Sequence, residues 1–334
     1  METYKPSGKF RFSIFGLTAA LAVVGVALGW VYQWLIDVVP WIYLSVVITL
    51  GFGLLLFLGA GWVTRLGRCR NVALAILVAV IAGLLVTAAT YYHAYTIFLD
   101  DAMAAENIPA EQRAVATEQF PFRDYLKFRV ETGWSIGRPG RDGSSGMPIK
   151  GVFVYLVWLI EAGILVGGAA LGAVGAARQP YCESCDEWTE ADLLTVALPQ
   201  PEPDTVERVK TATSVDQLLS VPIAPSPDEA SSLVYSLSGC PRCENSAFLT
   251  VKHVSVTVNK KDEAETETED LWSDLVLSPA QLETMQAFSE QVEAAAGSAV
   301  ETMQAFAEQV EAASGSTAAK DGEEQAEDVP PEAG

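Results

Sequence analysis

GVFVYLVWLIEAGILVGGAALGAVGAARQPYCESC, residues 151–185, carries two chemistries in one short run. Residues 151–177 contain a single charged side chain, Glu161. They are long and apolar enough to cross a bilayer, which takes about 20 residues. Just beyond Arg178 comes Cys182-Glu-Ser-Cys185, two thiols at the spacing that grips one ion. A membrane helix feeds directly into half of a metal site.

Working back from this join, three more apolar runs lie at 13–36, 41–63 and 72–98, so 151–177 is the fourth span. Lys5, Lys9 and Arg11 precede the first run, as in a signal peptide. That run is about twice the length of a signal h-region, which marks it as an anchor. Trp30, Tyr32, Trp34, Trp41, Tyr43, Trp62, Tyr91, Tyr92 and Tyr95 sit near span ends, where interfacial aromatics belong. Of 334 residues, 50% are hydrophobic, yet the net charge is −21. These values conflict for one soluble domain and agree for a membrane half followed by an acidic half. The acidity argues against nucleic acid and against a tail lying on anionic lipid.

An even number of spans places both termini on one side. Arg65, Arg68 and Arg70 fill the short second loop, Arg178 follows the fourth span, and the first loop, Asp37 to Pro40, is without basic residues. The long loop carries as many basic residues as the other side: Arg113, Arg123, Lys127, Arg129, Arg138, Arg141 and Lys150. Short loops govern orientation, so both termini are expected in the cytoplasm, with the chain in the cell (inner) membrane. All five cysteines, Cys69 included, then fall on the reducing side. The expected order is an N-terminal segment (1–12), three spans (13–99), an extracytoplasmic loop (100–150), the fourth span, a metal domain (178–278) and an acidic tail (279–334).

Small residues stud the spans: Gly25/Gly29, Gly51, Gly53, Gly59, Gly61, Gly163/Gly167 and Gly168/Gly172. They predict a closely packed four-helix bundle, or one that dimerises into a homo-oligomer. Glu161 shares a helical face with Gly168, Gly172 and Gly175, within about 40° on the wheel. His93, near the outer end of the third span, is its expected partner, with Tyr91 or Tyr92 nearby. The pair reads either as a buried hydrogen bond that sets helix register or as part of an ion or proton path. In the outer loop, helical pieces near 109–118 and 121–131 precede a glycine-rich connector at 137–146. The second piece suits either a membrane-surface helix or a cap on the bundle.

Cys182-x-x-Cys185 and Cys240-x-x-Cys243 together offer the four thiolates of a closed tetrahedral site. Strand-like runs at 232–237, 247–251 and 253–258 flank the second pair. On these four cysteines and this pattern, residues 180–275 resemble a zinc-ribbon or rubredoxin-like module mounted on a four-span membrane protein. The resemblance implies structural zinc at Cys182, Cys185, Cys240 and Cys243 and an interaction role, with iron in the same thiolate geometry or a redox-active dithiol pair as the lesser alternatives. The knuckles stand much farther apart than the 15–20 residues of a compact ribbon. The insert is expected to loop out, with a helix at 190–197, proline clusters at Pro199, Pro201, Pro203 and Pro222, Pro225, Pro227, and a helix after Ser214. Cys69 reads as an isolated thiol and His253 as a surface residue.

In the tail, Glu283-Thr-Met-Gln-Ala-Phe288 recurs as Glu301-Thr-Met-Gln-Ala-Phe306, an 18-residue tandem repeat. Its apolar stripe, Met285, Phe288 and Val292 then Met303, Phe306 and Val310, reads as a partner-binding or self-associating helix, or as a recent duplication in a solvated tail. Beyond Ser316 the composition is that of disorder. The fold class expected is a mainly α membrane protein: a transmembrane bundle, a small β-rich zinc-ribbon-like domain and a disordered acidic tail. The expected role is a non-enzymatic scaffold, adaptor or assembly factor that meets protein partners through domain or tail. A small transporter centred on Glu161 and His93 is the alternative. Two histidines and no nucleotide loop leave little for catalysis.

Overall fold

The computed structural model describes residues 1–38, 42–136, 147–199, 203–221, 231–243, 246–258 and 264–294. The glycine-rich connector, the Pro222–Pro225–Pro227 cluster, and Met303, Phe306 and Val310 lie outside the described residues. The chain divides into two compact units, Lys5–Gln179 and Met1–Tyr4 with Pro180–Gly334.

In the first unit, α1 (Ser13–Val38), α2 (Ile42–Leu66), α3 (Val72–Ala105) and a later helix, Val152–Arg178, are long and apolar enough to cross a membrane. Asn71 caps α3 by accepting from the Leu74 N–H at 3.0 Å. Between α3 and the last long helix lie α4 (Arg113–Gln119), α5 (Phe122–Thr132) and a hairpin of β1 (Trp134–Ile136) and β2 (Met147–Ile149). The last long helix is α6. Tyr125 of α5 is 5% exposed, packed on Tyr95 and Phe98 of α3, and the Tyr95 hydroxyl donates to Phe120 O at 2.8 Å. α5 is therefore held as a cap on the end of α3.

Glycines set the helix contacts. A Cβ at Gly168 would stand 2.8 Å from Gly53 O, and one at Gly61 would stand 3.2 Å from Gly172 O. A Cβ at Gly172 would collide with Phe57 O. α2 and α6 thus pack backbone to backbone, as small residues permit. Gly25 and Gly29 of α1 instead make room for the Val86 and Thr90 side chains of α3, whereas Gly163 and Gly167 face open space.

The second unit is built on a four-stranded antiparallel sheet in the order β5 (Glu190–Pro199), β6 (Ser231–Gly239), β7 (Ala247–Val258), β8 (Ala264–Leu277). A two-residue hairpin, β3 (Tyr181–Cys182) and β4 (Glu187–Trp188), precedes it. Along β6 burial alternates with period two, placing Leu233, Tyr235 and Leu237 on one face. Three helices cover that face: α7 (Pro203–Lys210), α8 (Val215–Leu219) and α9, residues 279–294. They contribute Val209, Leu218, Leu219, Met285, Phe288 and Val292 to one core with Leu249, Val251 and Leu275. Trp272 Nε1 donates to Val209 O at 2.8 Å, and the Tyr235 hydroxyl to Leu218 O at 3.0 Å.

Three expectations change here. Residues 190–197, expected as helix, form strand β5. The run Leu193 to Leu198 is too short for periodicity to separate helix from strand, and pairing of Leu194 to Leu198 with Leu237 to Leu233 decides it. The insert between the knuckles does not loop out; it supplies β5, α7 and α8 to the sheet's core. The tail does not begin at 279, because Met285, Phe288 and Val292 are 0, 3 and 5% exposed in that core. The stripe expected to meet a partner is occupied, in its first copy, by this chain's own sheet.

The far edge of the sheet is closed by residues 2–4. Val276 N–H donates to Glu2 O at 2.9 Å and Tyr4 N–H to Asp274 O at 2.8 Å, with Thr3 opposite Leu275. Asp274 sits at a bulge with φ +53°, and burial, then Asp270, raise its carboxyl, with Lys252 opposing. A carboxyl raised in the folded chain stabilises fully below its unfolded value of about 3.9 and loses that contribution as pH rises through the folded value. Asn tolerates the same backbone without the charge. Asp274→Asn should raise Tm by a few degrees at pH 7, with the gain shrinking as pH falls toward 4. Calorimetry at both pH values checks this; an equal gain at both would remove the carboxyl from the account.

Candidate metal centre

β3 ends in Cys182, and the β3–β4 turn carries Cys185. Asp186 lets that turn close with φ +55°, and the Tyr181 hydroxyl donates to Asp186 Oδ1. Tyr181 packs edge-on against Trp188 at 4.9 Å, bracing the hairpin. Cys240 follows β6, its N–H donating to Ser246 O at 3.0 Å, and Pro241-Arg242 turns the chain to Cys243. Arg242 reaches Glu187 at 3.1 Å and ties one knuckle to the other. Glycine suits position 239, where a Cβ would stand 2.9 Å from Leu193 Cδ1.

The four Sγ atoms of Cys182, Cys185, Cys240 and Cys243 all lie within 4.8 Å of one another. Cys182 and Cys243 Sγ are 3.7 Å apart. A tetrahedral thiolate site with metal–sulfur bonds of about 2.3 Å has sulfur–sulfur edges of about 3.8 Å. A disulfide needs about 2.05 Å. The donors therefore fit a tetrahedral ion, and all five cysteines are free thiols.

Burial pushes the Cys182 thiol up. Hydrogen bonds with Ser184 Oγ, Ser246 Oγ, the Cys185 N–H and Cys243 outweigh it and hold the group down at about 6. Ser246 Oγ donates at 3.2 Å, and Ser184 Oγ lies 3.1 Å from the sulfur. Cys185 moves the opposite way, pushed up to about 12 first by its hydrogen bond with Cys243 and then by desolvation. One sulfur is thus ready as a thiolate while its neighbour holds a proton that a cation would displace. Ser184 and Ser246 escape sequence reading. Serine inside a CxxC is a faint signal, and Ser246 comes close only through the β6–β7 turn.

The expected pairing of Glu161 with His93 is not formed. Glu161 accepts from the Tyr32 hydroxyl at Oε1 and from the Tyr91 hydroxyl at Oε2, the latter at 2.9 Å. Tyr32 also lies 3.0 Å from Thr49 Oγ1 and stacks on Phe52 at 5.1 Å. Residue 93 stands about 200° round α3 from Tyr91, and buried His93 Nε2 has no hydrogen-bond partner among the described residues. Tyr32, expected at an interface, is 4% exposed and belongs to the Glu161 cluster. Glu161→Leu orphans the Tyr91 hydroxyl, worth about 1–3 kcal/mol, while Glu161→Gln keeps an acceptor. Thermal unfolding in detergent should show the larger Tm loss for Leu; equal losses would deny the hydrogen bonds a role.

Of the remaining candidates, Cys69 is buried in the α2–α3 turn, where burial raises its thiol. His253 stands opposite Leu233 and Glu269 in the sheet, away from the knuckles. The fold and the centre define a class: four membrane-length helices and a separate sheet unit bearing a four-cysteine cluster able to hold a metal ion. Compared with protein-family models, with curated proteins and with solved structures, the chain matches none.

Proposed function

We propose that this chain is an integral inner-membrane scaffold, adaptor or assembly factor whose cytoplasmic domain is clamped by a structural zinc ion. The four-cysteine cluster carries the reading. Four thiolates fill every position of a tetrahedral ion and leave none for substrate, which suits a structural site. The pairing of residues 2–4 with β8 supports an even number of crossings, with the N-terminus and the sheet unit on one side. Lys5, Lys9, Arg11, Arg65, Arg68, Arg70 and Arg178 support the cytoplasm as that side, where thiols stay reduced.

Protein is the favoured partner because exposed Glu267 and Glu269 and the net charge of −21 repel nucleic acid and anionic lipid alike. The two tyrosine hydroxyls on Glu161 support a lock between α1, α3 and α6 over a translocation path. The test is affinity purification of the full chain, tagged at the C-terminus, from a detergent extract. One dominant protein should be recovered and then lost with Cys182→Ser/Cys240→Ser. Recovery of nothing beyond a four-span control, or a partner indifferent to the double substitution, would sink the scaffold reading.

A further inference from the structure

The apolar face of the sheet holds α9 through one narrow stripe. Met285, Phe288, Ser289 and Val292 are its buried residues, while Glu283, Gln286, Glu290, Gln291 and Glu293 are exposed. Leu282 packs at the start of the stripe, and the Phe288 ring meets Tyr235 edge-on at 5.4 Å. The next 18 residues write the same key again. Residues 301–313 repeat residues 283–295 at every position but one, Ala307 standing for Ser289. Val300 takes the place of Leu282.

The single difference favours the second copy. Ser289 is 6% exposed, and its hydroxyl does no more than donate to Gln286 O one turn back. Alanine buries no such hydroxyl and has the higher helix propensity. Ser298 with Glu301 also supplies a capping-box pattern before the second copy. Every side chain by which the first copy grips the sheet has its equivalent in the second.

We propose that this face is a groove with two interchangeable occupants in one chain: residues 301–313 seat on it when residues 283–295 leave. The inference rests on the repeat and on the α9 contacts and is independent of the scaffold reading. Seating the second copy lengthens the linker after Leu277 from 5 residues to 23, a closure penalty that favours the first copy by roughly tenfold. The first copy is therefore the favoured occupant, and the second seats only when the first is withdrawn. A partner can take one apolar helix while the core of the sheet stays covered.

The test is amide hydrogen exchange on the full chain in detergent, comparing wild type with Met285→Asp/Phe288→Asp. In the variant, residues 301–312 should gain at least tenfold protection, and β6 and β7 should keep theirs. Adding Met303→Asp/Phe306→Asp should strip protection from β6 and β7. Residues 301–312 exchanging at the wild-type rate in the first variant, whether or not the sheet survives, would overturn the proposal. So would a gain that grows with protein concentration, which would place the second copy on another chain.

Discussion

Cys182→Ser/Cys240→Ser is expected to abolish metal binding and melt the knuckle end of the sheet unit, leaving the four long helices packed. Each substitution removes one ligand from a different knuckle, so neither pair can hold the ion alone. Structural zinc contributes about 10–16 kcal/mol in zinc-finger peptides near neutral pH, comparable with the whole stability of a typical domain. The β3–β4 hairpin has only two residue pairs of ladder, Tyr181 with Trp188 and Cys182 with Glu187, so it has little else to hold it. Elemental analysis should find about one ion per chain in the wild type and none in the variant, zinc on our reading. Hydrogen exchange should show β3, β4 and the β6–β7 turn opening while α2 and α6 keep their protection. A variant that retains the ion, or wild-type protein that carries none, would end the metal assignment.

The second large effect belongs to the bundle. At Gly172 even a Cβ collides with Phe57 O, so Gly172→Leu cannot be absorbed by a rotamer change. Overpacking costs roughly 1–3 kcal/mol where side chains can yield. A backbone carbonyl cannot yield, and Gly61 and Gly168 meet the facing helix through the same contact. Leucine at 172 should therefore part α2 from α6, seen as loss of the thermal transition in detergent or aggregation on size exclusion. Gly163→Leu, one face round on the same helix and open within 4 Å, should behave as wild type. Equal behaviour of the two variants would show that the close approach is not what holds the helices.

Different physics made some of this legible in the sequence and hid the rest. The long helices announce themselves because nothing but their length and apolarity is needed to find them. The cysteine cluster is equally plain, since CxxC spacing is set by the turn that presents two sulfurs to one ion. β5 is hidden because Leu193 to Leu198 has no local feature that separates strand from helix; its partner β6 decides, and β6 begins more than thirty residues later. The stripe of α9 is legible as Met285, Phe288 and Val292, but its destination is not: an apolar stripe in an acidic helix suits a partner as well as this chain's own sheet, and only the sheet's open face decides. Glu161 was visible as a costly residue, but its partners come from α1 and α3, and Tyr32 at a span end looks like any interfacial aromatic. In the glycine pattern both small-residue pairs of α6 look alike, yet only Gly168 and Gly172 meet a neighbour.

The short ladder between residues 2–4 and β8 has a consequence for the order of assembly. Thr3 is synthesised 272 residues ahead of Leu275, its partner across the ladder. Throughout synthesis the N-terminal peptide is therefore a zip fastener with one side missing. A polypeptide broken off before residue 274 can already hold its membrane-length helices yet cannot shut this edge. This edge of the sheet therefore stays open until translation has passed Val276, whatever else of the unit has already folded.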